Sequence, residues 1–384
     1  MKDNSSGEQR LLEHLKKLFE LYKDNKLKEA LKYSNKLELD FSKDLNIPYF
    51  HNLKGLINLG LRDWEESLKN FNQAIEIDKN FEPSHFNKGI ANYDLGNLDN
   101  AYHNFLKVLD IRKENHKAKD DLIKILGLIN INKEKRDNFS IVNNLLLQSN
   151  YKIDMKKKIS NKDIIDFFNH NKRIVKKYIT DLSFRENQLF IRNGVDLSCE
   201  RHHKIFKEHK VIPKFCFTCF KVVIHLNEVL DLIKLYLIFD SSELIKNFEK
   251  KCRIDYDNNK YRGYIYCSNI AEVYEAEKII SQNIKLNIGK KLKIETKRGC
   301  SEFSKKFPEY KKIPQENQKT FSYKDDWKKI ENEMDHKLFK NGKIIKRNAK
   351  RSLSGLSLSD FLVLNNWINY SKTINDQSTK NIKI

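Results

Sequence analysis

The chain has 384 residues, enough for two or three domains that each bury a core of their own. Lys and Arg outnumber Asp and Glu by 73 to 52, giving a formal net charge of +21, and no apolar run approaches the roughly 18 residues of a membrane span. The opening MKDNSSGEQR lacks the basic-then-apolar layout of a secretory signal, so the six cysteines, two of them in a CxxC, read as reduced thiols or metal ligands in a cytoplasmic protein.

Charge is divided unevenly. Residues 1–130 carry 21 Lys+Arg against 21 Asp+Glu, and residues 131–384 carry 52 against 31, so the whole excess lies in the back two thirds. A basic module is drawn to nucleic acid, anionic lipid or acidic proteins. The chain is also crowded with Lys, Asn and Ile, a bias that the base composition of a gene produces equally well.

The front third repeats itself every 34 residues. Between 51–78 and 85–112, Gly55 returns as Gly89, Leu61 as Leu95, Phe71 as Phe105 and Ile77 as Ile111, while Trp64 meets Leu98, Ser67 meets Ala101 and Ala74 meets Val108. Such a period predicts stacked helix pairs: a small residue lets the two helices of one pair approach, and an i, i+3 stripe must be buried by the next pair. These positions resemble the tetratricopeptide repeat (TPR), with a small residue at the eighth place, an aromatic at the twenty-fourth and a small residue at the twenty-seventh. Lys79 and Lys113 stand where that family often has proline, and His51 and His85 where it has an early tryptophan. A third, irregular copy spans Leu11 to Asp40, with about three residues inserted near Phe41–Ile47. Residues His116–Leu128 read as a closing helix, which bounds a repeat domain at 1–128.

The TPR resemblance implies protein or peptide binding in a groove lined by the first helix of each pair. The aligned positions are Asn52, Leu56 and Leu59, then Phe86, Ile90 and Tyr93, of which about a third should serve packing instead. The Lys/Asn set that clamps a terminal carboxylate in chaperone-binding members is not reproduced, since Leu56 and Asp121 occupy two of its places.

Residues 129–160 form a charged connector around the apolar Ile141–Leu147. A second domain, 161–300, opens with a helix over 161–177 and a strand at Gln188–Arg192 that ends at Asn193-Gly194. After Cys219 the pattern becomes strand (220–225), helix (227–239), two strands (252–256, 261–267) around an Asp257-Asn258-Asn259 turn, helix (271–282) and strand (292–296). This βαββαβ sequence predicts a ferredoxin-like α+β domain, with Ser241–Lys251 left either as an extension of the helix or as another. The remainder, 301–384, reads as a basic helical tail, partly disordered, with Trp327 in a charged helix, the basic run Lys343–Arg351, and an amphipathic stretch Leu358–Tyr370 capped at Ser359.

Three constellations bear on chemistry. Cys199-Glu-Arg-His202 followed by Cys216-Phe-Thr-Cys219 places two ligand pairs 13 residues apart, the spacing of a closed, structural zinc site, with His203 as the rival fourth ligand. The competing reading packs Cys216 and Cys219 as small apolar residues among Phe215, Phe217 and Phe220. Arg262-Gly263-Tyr264-Ile265-Tyr266 resembles the third strand of an RNA-recognition motif, in which Arg262, Tyr264 and Tyr266 would meet RNA on an open sheet face. Ile265 and Asn269 depart from that pattern, and alternation alone also describes a half-buried strand with tyrosines on one face. Asp255-Tyr256-Asp257 has the carboxylate spacing of metal-dependent glycosyltransferases but falls at a hairpin turn, and Cys300 after Lys297-Arg298-Gly299 reads as a spare thiol. No phosphate loop, HExxH, nucleophile elbow or nucleotide fingerprint is present. The expected protein is therefore a non-catalytic adaptor that binds a protein partner through the TPR groove and a second macromolecule, acidic protein or RNA, through a basic zinc-stabilised domain. An RNA-binding protein and the accessory or catalytic domain of a glycosyl-type transferase are the alternatives.

Overall fold

Apolar spacing, proline at helix starts and left-handed residues at helix ends divide the front of the chain into seven helices. The computed structural model describes residues 4–41, 45–131, 137–149, 153–191, 199–241, 251–257, 260–314, 321–338 and 352–380, in two compact units, 1–125 and 126–384. The first unit holds α1 (Asn4–Lys23), α2 (Leu27–Asp40), α3 (Pro48–Gly60), α4 (Trp64–Ile77), α5 (Glu82–Leu95), α6 (Leu98–Ile111) and α7 (His116–Leu126). Pro48 occupies the first turn of α3 and Pro83 that of α5, where a missing N–H costs nothing.

The three helix-to-helix turns are built alike. Asn25 (φ +59°), Arg62 (φ +61°) and Gly96 (φ +81°) each take the left-handed conformation that stops a helix. After each, a backbone N–H reaches back five residues: Lys26 to Leu21, Asp63 to Asn58 and Asn97 to Asn92, all at 2.9 Å. The turns fall 37 and then 34 residues apart, so α1–α2 is a third hairpin offset by three residues; residues 42–44, inside the expected insertion, lie outside the described set.

Within a hairpin the glycines meet phenylalanines. A Cβ on Gly55 would lie 2.4 Å from the Phe71 ring, and one on Gly89 would lie 2.7 Å from Phe105. Both rings are buried, and the Ser67 hydroxyl donates to the Gly55 carbonyl at 2.9 Å, fixing α4 against α3. Successive hairpins stack α4 on α5 and α2 on α3, which buries the Phe71/Ala74 and Phe105/Val108 stripes.

The second unit contains α8 (Asn138–Leu147), α9 (Asn161–Lys176), β1 (Leu189–Ile191), α10 (Cys199–His209), β2 (Phe220–Leu226), α11 (Val229–Ser241), β3 (Cys252–Asp257), β4 (Lys260–Cys267), α12 (Ile270–Asn283), β5 (Lys293–Arg298), α13 (Asp326–Leu338) and α14 (Leu358–Thr373). The strands form one antiparallel sheet in the order β1-β3-β4-β2-β5. This departs from the expected four-stranded, ferredoxin-like arrangement: β1 pairs Leu189–Ile191 against Ile254–Cys252 and adds a fifth strand at the edge. Helices α11 and α12 cover one face, where Gly263 leaves room for Leu235, whose Cδ2 would lie 2.4 Å from a Cβ there.

Helix α11 is apolar on nearly every side because the sheet lies on one flank and α9 and α14 on another. The stretch read from sequence as a tail thus supplies α14, whose Trp367 is fully buried and donates its indole N–H to the Asn187 carbonyl at 2.8 Å, while Phe361 stacks on Phe168. Its cap is Ser357 rather than Ser359: Ser357 and Asp360 close a capping box, because two residues earlier the hydroxyl can reach the third N–H of the helix. The basic run Lys343–Arg351, the turn residues 193–194 and 258–259, and residues 242–250 lie outside the described set. No described helix is long and apolar enough to cross a membrane.

Two outcomes follow. Gly55→Ala forces a methyl into the Phe71 ring and should destabilise the first unit by about 1–3 kcal/mol, measured by urea denaturation, whereas the same change at the exposed Gly60, which meets only the flexible end of Leu27, should cost less. Burial, with Asp240 acting in the same direction and the Ser357 bonds opposing, pushes the Asp360 carboxyl up to about 7. The folded state therefore holds a proton that the unfolded chain releases near pH 4, so stability should fall as pH rises from about 4 to about 7, and Asp360→Asn should flatten that slope in thermal melts.

Candidate functional site

In the helical array, α3 presents Asn52, Leu56 and Leu59 along one stripe and α5 presents Phe86, Ile90 and Tyr93 along another. Leu56, Leu59, Ile90 and Tyr93 are half-buried. Two of the six positions are engaged in packing. The buried Asn52 Oδ1 accepts from the Ser84 hydroxyl (3.0 Å) and the Asn87 amide (2.9 Å), joining α3 to α5. The Phe86 ring packs on Phe105 at 5.5 Å with the Lys117 ammonium 4.8 Å from its centroid. Asn87 has no counterpart among the residues singled out from sequence, since only the register between neighbouring hairpins brings it to Asn52. Asp121, in the place of a clamp residue, pairs with Lys124 at 3.4 Å.

On the sheet, Arg262, Tyr264 and Tyr266 share the face opposite α11. That face is basic, because β2 and β5 add Lys221, Lys293 and Lys297, and β3 adds Arg253. Its aromatic rings are occupied by the protein's own cations. Tyr264 is only 5% exposed, with the Arg253 guanidinium 4.3 Å and the Lys221 ammonium 5.8 Å from its centroid. Tyr266 is half-buried with Lys251 at 5.5 Å, and burial pushes its phenol up to about 12. Asp255 is buried and paired with Arg253 at 3.0 Å. Burial would raise Glu295, but bonds from Lys297 (2.6 Å) and His225 (2.6 Å) hold its carboxyl down at about 2.

The cysteine-rich corner lies at the end of the β2–β5 pair. Cys216 sits in the short 3₁₀ turn Lys214–Phe217, and Cys219 directly precedes β2. Phe220 pairs with Arg298, so the next residues, Cys219 and Gly299, face each other, and the Gly299 N–H donates to the Cys219 carbonyl at 2.9 Å. Cys300 follows; the mutual influence of its thiol and that of Cys216 lowers Cys300 and raises Cys216, while burial pushes Cys219 up to about 12. Cys199, the first residue of α10, is within electrostatic reach of both Cys216 and Cys219.

The histidines divide. His202 is buried and stacks on the Phe215 ring at 5.3 Å, and His203 lies outside, its Nδ1 2.9 Å from Glu302. Among the described residues, His203, Cys300 and Glu302 offer ligand atoms all within 4.8 Å of one another. All six cysteines are thiols rather than disulfides. The corner is braced from below by the Tyr310 hydroxyl on the Cys216 carbonyl (2.8 Å) and by an apolar cluster of Ile205, Val211, Ile212, Phe303, Trp327 and Met334. Arg201 bonds Glu331 (3.0 Å) and Asp335 (2.9 Å), which ties α13 to α10.

No family model matches this chain, and no curated protein does. Among solved structures, the first TPR of Spaghetti (RPAP3) bound to the HSP90 peptide SRMEEVD is 21% identical, with a TM-score of 0.29, over 30% of this chain and 90% of that one. The second TPR domain of human RPAP3 in complex with the HSP70 peptide SGPTIEEVD is 23% identical (TM-score 0.27; 29% and 91% covered). PcrH in complex with the chaperone-binding region of PopD is 19% identical (TM-score 0.27; 31% and 86% covered).

Asn52→Ala removes the acceptor from two donors at the α3–α5 contact and should destabilise the first unit by about 1–3 kcal/mol in urea denaturation, with Ser84→Ala in the same background recovering part of the loss.

Proposed function

We propose that the protein is a non-catalytic adaptor. In this reading the helical array is a TPR-type module that takes an extended protein segment along Leu56, Leu59, Ile90 and Tyr93, while Asn52 and Phe86 hold the groove's shape. The observation that carries it is the run of half-buried apolar side chains on α3 and α5, left over after their glycine-bearing faces are spent on α4 and α6. Around a neutral array, such a stripe suits a partner recognised by shape and apolar contact.

The second unit is read as the basic partner-binding module, stabilised by a structural zinc at the corner of Cys199, His202, Cys216 and Cys219. Its inner strands β3-β4-β2-β5, with α11 and α12 as crossover helices, suit a split βαβ unit extended by β1. An acidic protein is the favoured ligand of the sheet face. RNA is the second reading, supported by Lys221, Arg253, Arg262, Lys293 and Lys297 around Tyr266. The burial of Tyr264 beneath Arg253 weighs against base stacking there. Asp255, held by Arg253, gives the transferase reading no support.

The test is affinity capture by the full chain after nuclease treatment, read by mass spectrometry. A protein retained by wild type should be lost at least tenfold by Leu59→Asp with Tyr93→Ala, at unchanged helicity. Capture that disappears with nuclease, or RNA binding that falls steeply with added salt and with Tyr266→Ala, would instead establish the RNA reading.

A further inference from the structure

Helix α10 and the turn that follows β5 meet through one ring. Phe303 is fully buried in the 3₁₀ turn Ser301–Lys305 and packs on Phe206 and His203, with ring centroids 4.5 and 5.9 Å away, which fixes the helix and the turn against each other. His202 is buried against Phe215, and the next residue, about 100° further round the helix, is exposed. That sets His203 beside Cys300, the extended residue before the turn, and beside Glu302, two places on. We propose that His203, Cys300 and Glu302 hold one zinc ion whose fourth position is open to solvent. This goes beyond the reading of a structural zinc at Cys199, His202, Cys216 and Cys219, with which it shares no residue.

The geometry carries the assignment. One ligand atom from each of the three residues lies within 4.8 Å of the other two, and the His203 Nδ1 is 2.9 Å from a Glu302 oxygen. A zinc ion with bonds of about 2.0 Å to nitrogen and oxygen sets those two atoms about 3.3 Å apart, so the pair needs to open by only about 0.4 Å to admit it. His203 and Glu302 are exposed and Cys300 is half-buried, which leaves an entry path and a solvent side for the remaining ligand, a water. A surface ion pair would account for His203 and Glu302 alone. The thiol within reach of both, brought there from the end of β5, is what an ion pair does not explain.

The donor set suits zinc on chemical grounds. Magnesium and calcium take oxygen ligands, whereas an imidazole, a thiolate and a carboxylate together match a borderline-soft ion. Thiolate and carboxylate supply two negative charges, so the filled site is neutral and adds nothing to the surplus of positive charge in this part of the chain. Three protein ligands leave one coordination position exchangeable, unlike a closed structural site. The ion would also bridge α10 to the end of β5, adding a bond between elements that Phe303 alone now joins at this point.

The experiment uses the full chain, purified without chelator and supplied with zinc alone. Zinc per chain is counted by elemental analysis, and zinc-edge X-ray absorption of wild type carrying one ion should show one sulfur at about 2.3 Å with nitrogen and oxygen at about 2.0–2.2 Å. In competition with a chelator, His203→Gln and Glu302→Gln should each lose at least about tenfold in zinc affinity, while His202→Gln and His209→Gln, on the same helix, keep the wild-type value. Both substituted side chains are exposed, so circular dichroism should show these two variants folded as wild type. Two ions in wild type that fall to one in His203→Gln would support this site and the corner zinc together. A shell of mostly sulfur, with affinity lost in His202→Gln and kept in His203→Gln, overturns this site and leaves the corner reading standing. Wild type that takes up no zinc overturns both.

Discussion

The closeness of α3 to α4, and of α5 to α6, is limited by a single contact in each hairpin: an aromatic ring lying where a glycine has no side chain. Phe71 over Gly55 and Phe105 over Gly89 bring the helices near enough for the Ser67 hydroxyl to reach backbone across the gap. With those faces in contact, the remaining stripe of α4 is buried by α5. The half-buried positions on α3 and α5 are what this packing leaves over.

The second unit is organised around a helix with no polar side. Helix α11 lies between the sheet and the layer of α9 and α14, and its charged groups are each engaged: Lys234 bonds Asp231 (3.0 Å) and Asn161 (2.8 Å), Lys290 reaches the second Asp231 oxygen at 2.8 Å, and Asp240 accepts from the Gly355 N–H at 3.0 Å. Losing one member of such a buried group leaves another charge uncompensated, a cost of about 3–5 kcal/mol. Polarity is thereby displaced to the opposite face of the sheet, where lysines and arginines from four strands gather and cover the tyrosines.

Local features were legible in the sequence and long-range ones were not. The 34-residue period, the offset copy before it and the roles of Gly55, Phe71 and Ala74 are visible because each repeat must solve the same packing problem in the same register. The strands of the second unit are legible for a similar reason, since alternation marks them individually. Strand β1 was read as a strand but its edge position was not, because pairing with β3 depends on residues more than 60 positions away. Cys300 reads as a spare thiol until the Phe220–Arg298 register sets it directly after Gly299, whose N–H bonds the Cys219 carbonyl. The burial of α14 is hidden because Leu358–Thr373 carries polar residues at intervals, such as Asn366, whose amide is used internally on the carbonyls of Phe184 and Glu186.

The three tryptophans fall in three different neighbourhoods: Trp64 opens α4 in the repeat array, Trp327 lies in the aromatic cluster beneath the cysteines, and Trp367 lies at the centre of α14. Each indole is consequently a native optical probe of one neighbourhood. Chains keeping a single one of them would emit separately from the array, the thiol-rich lobe and the helical layer, so loosening of one could be watched by fluorescence without attaching a dye.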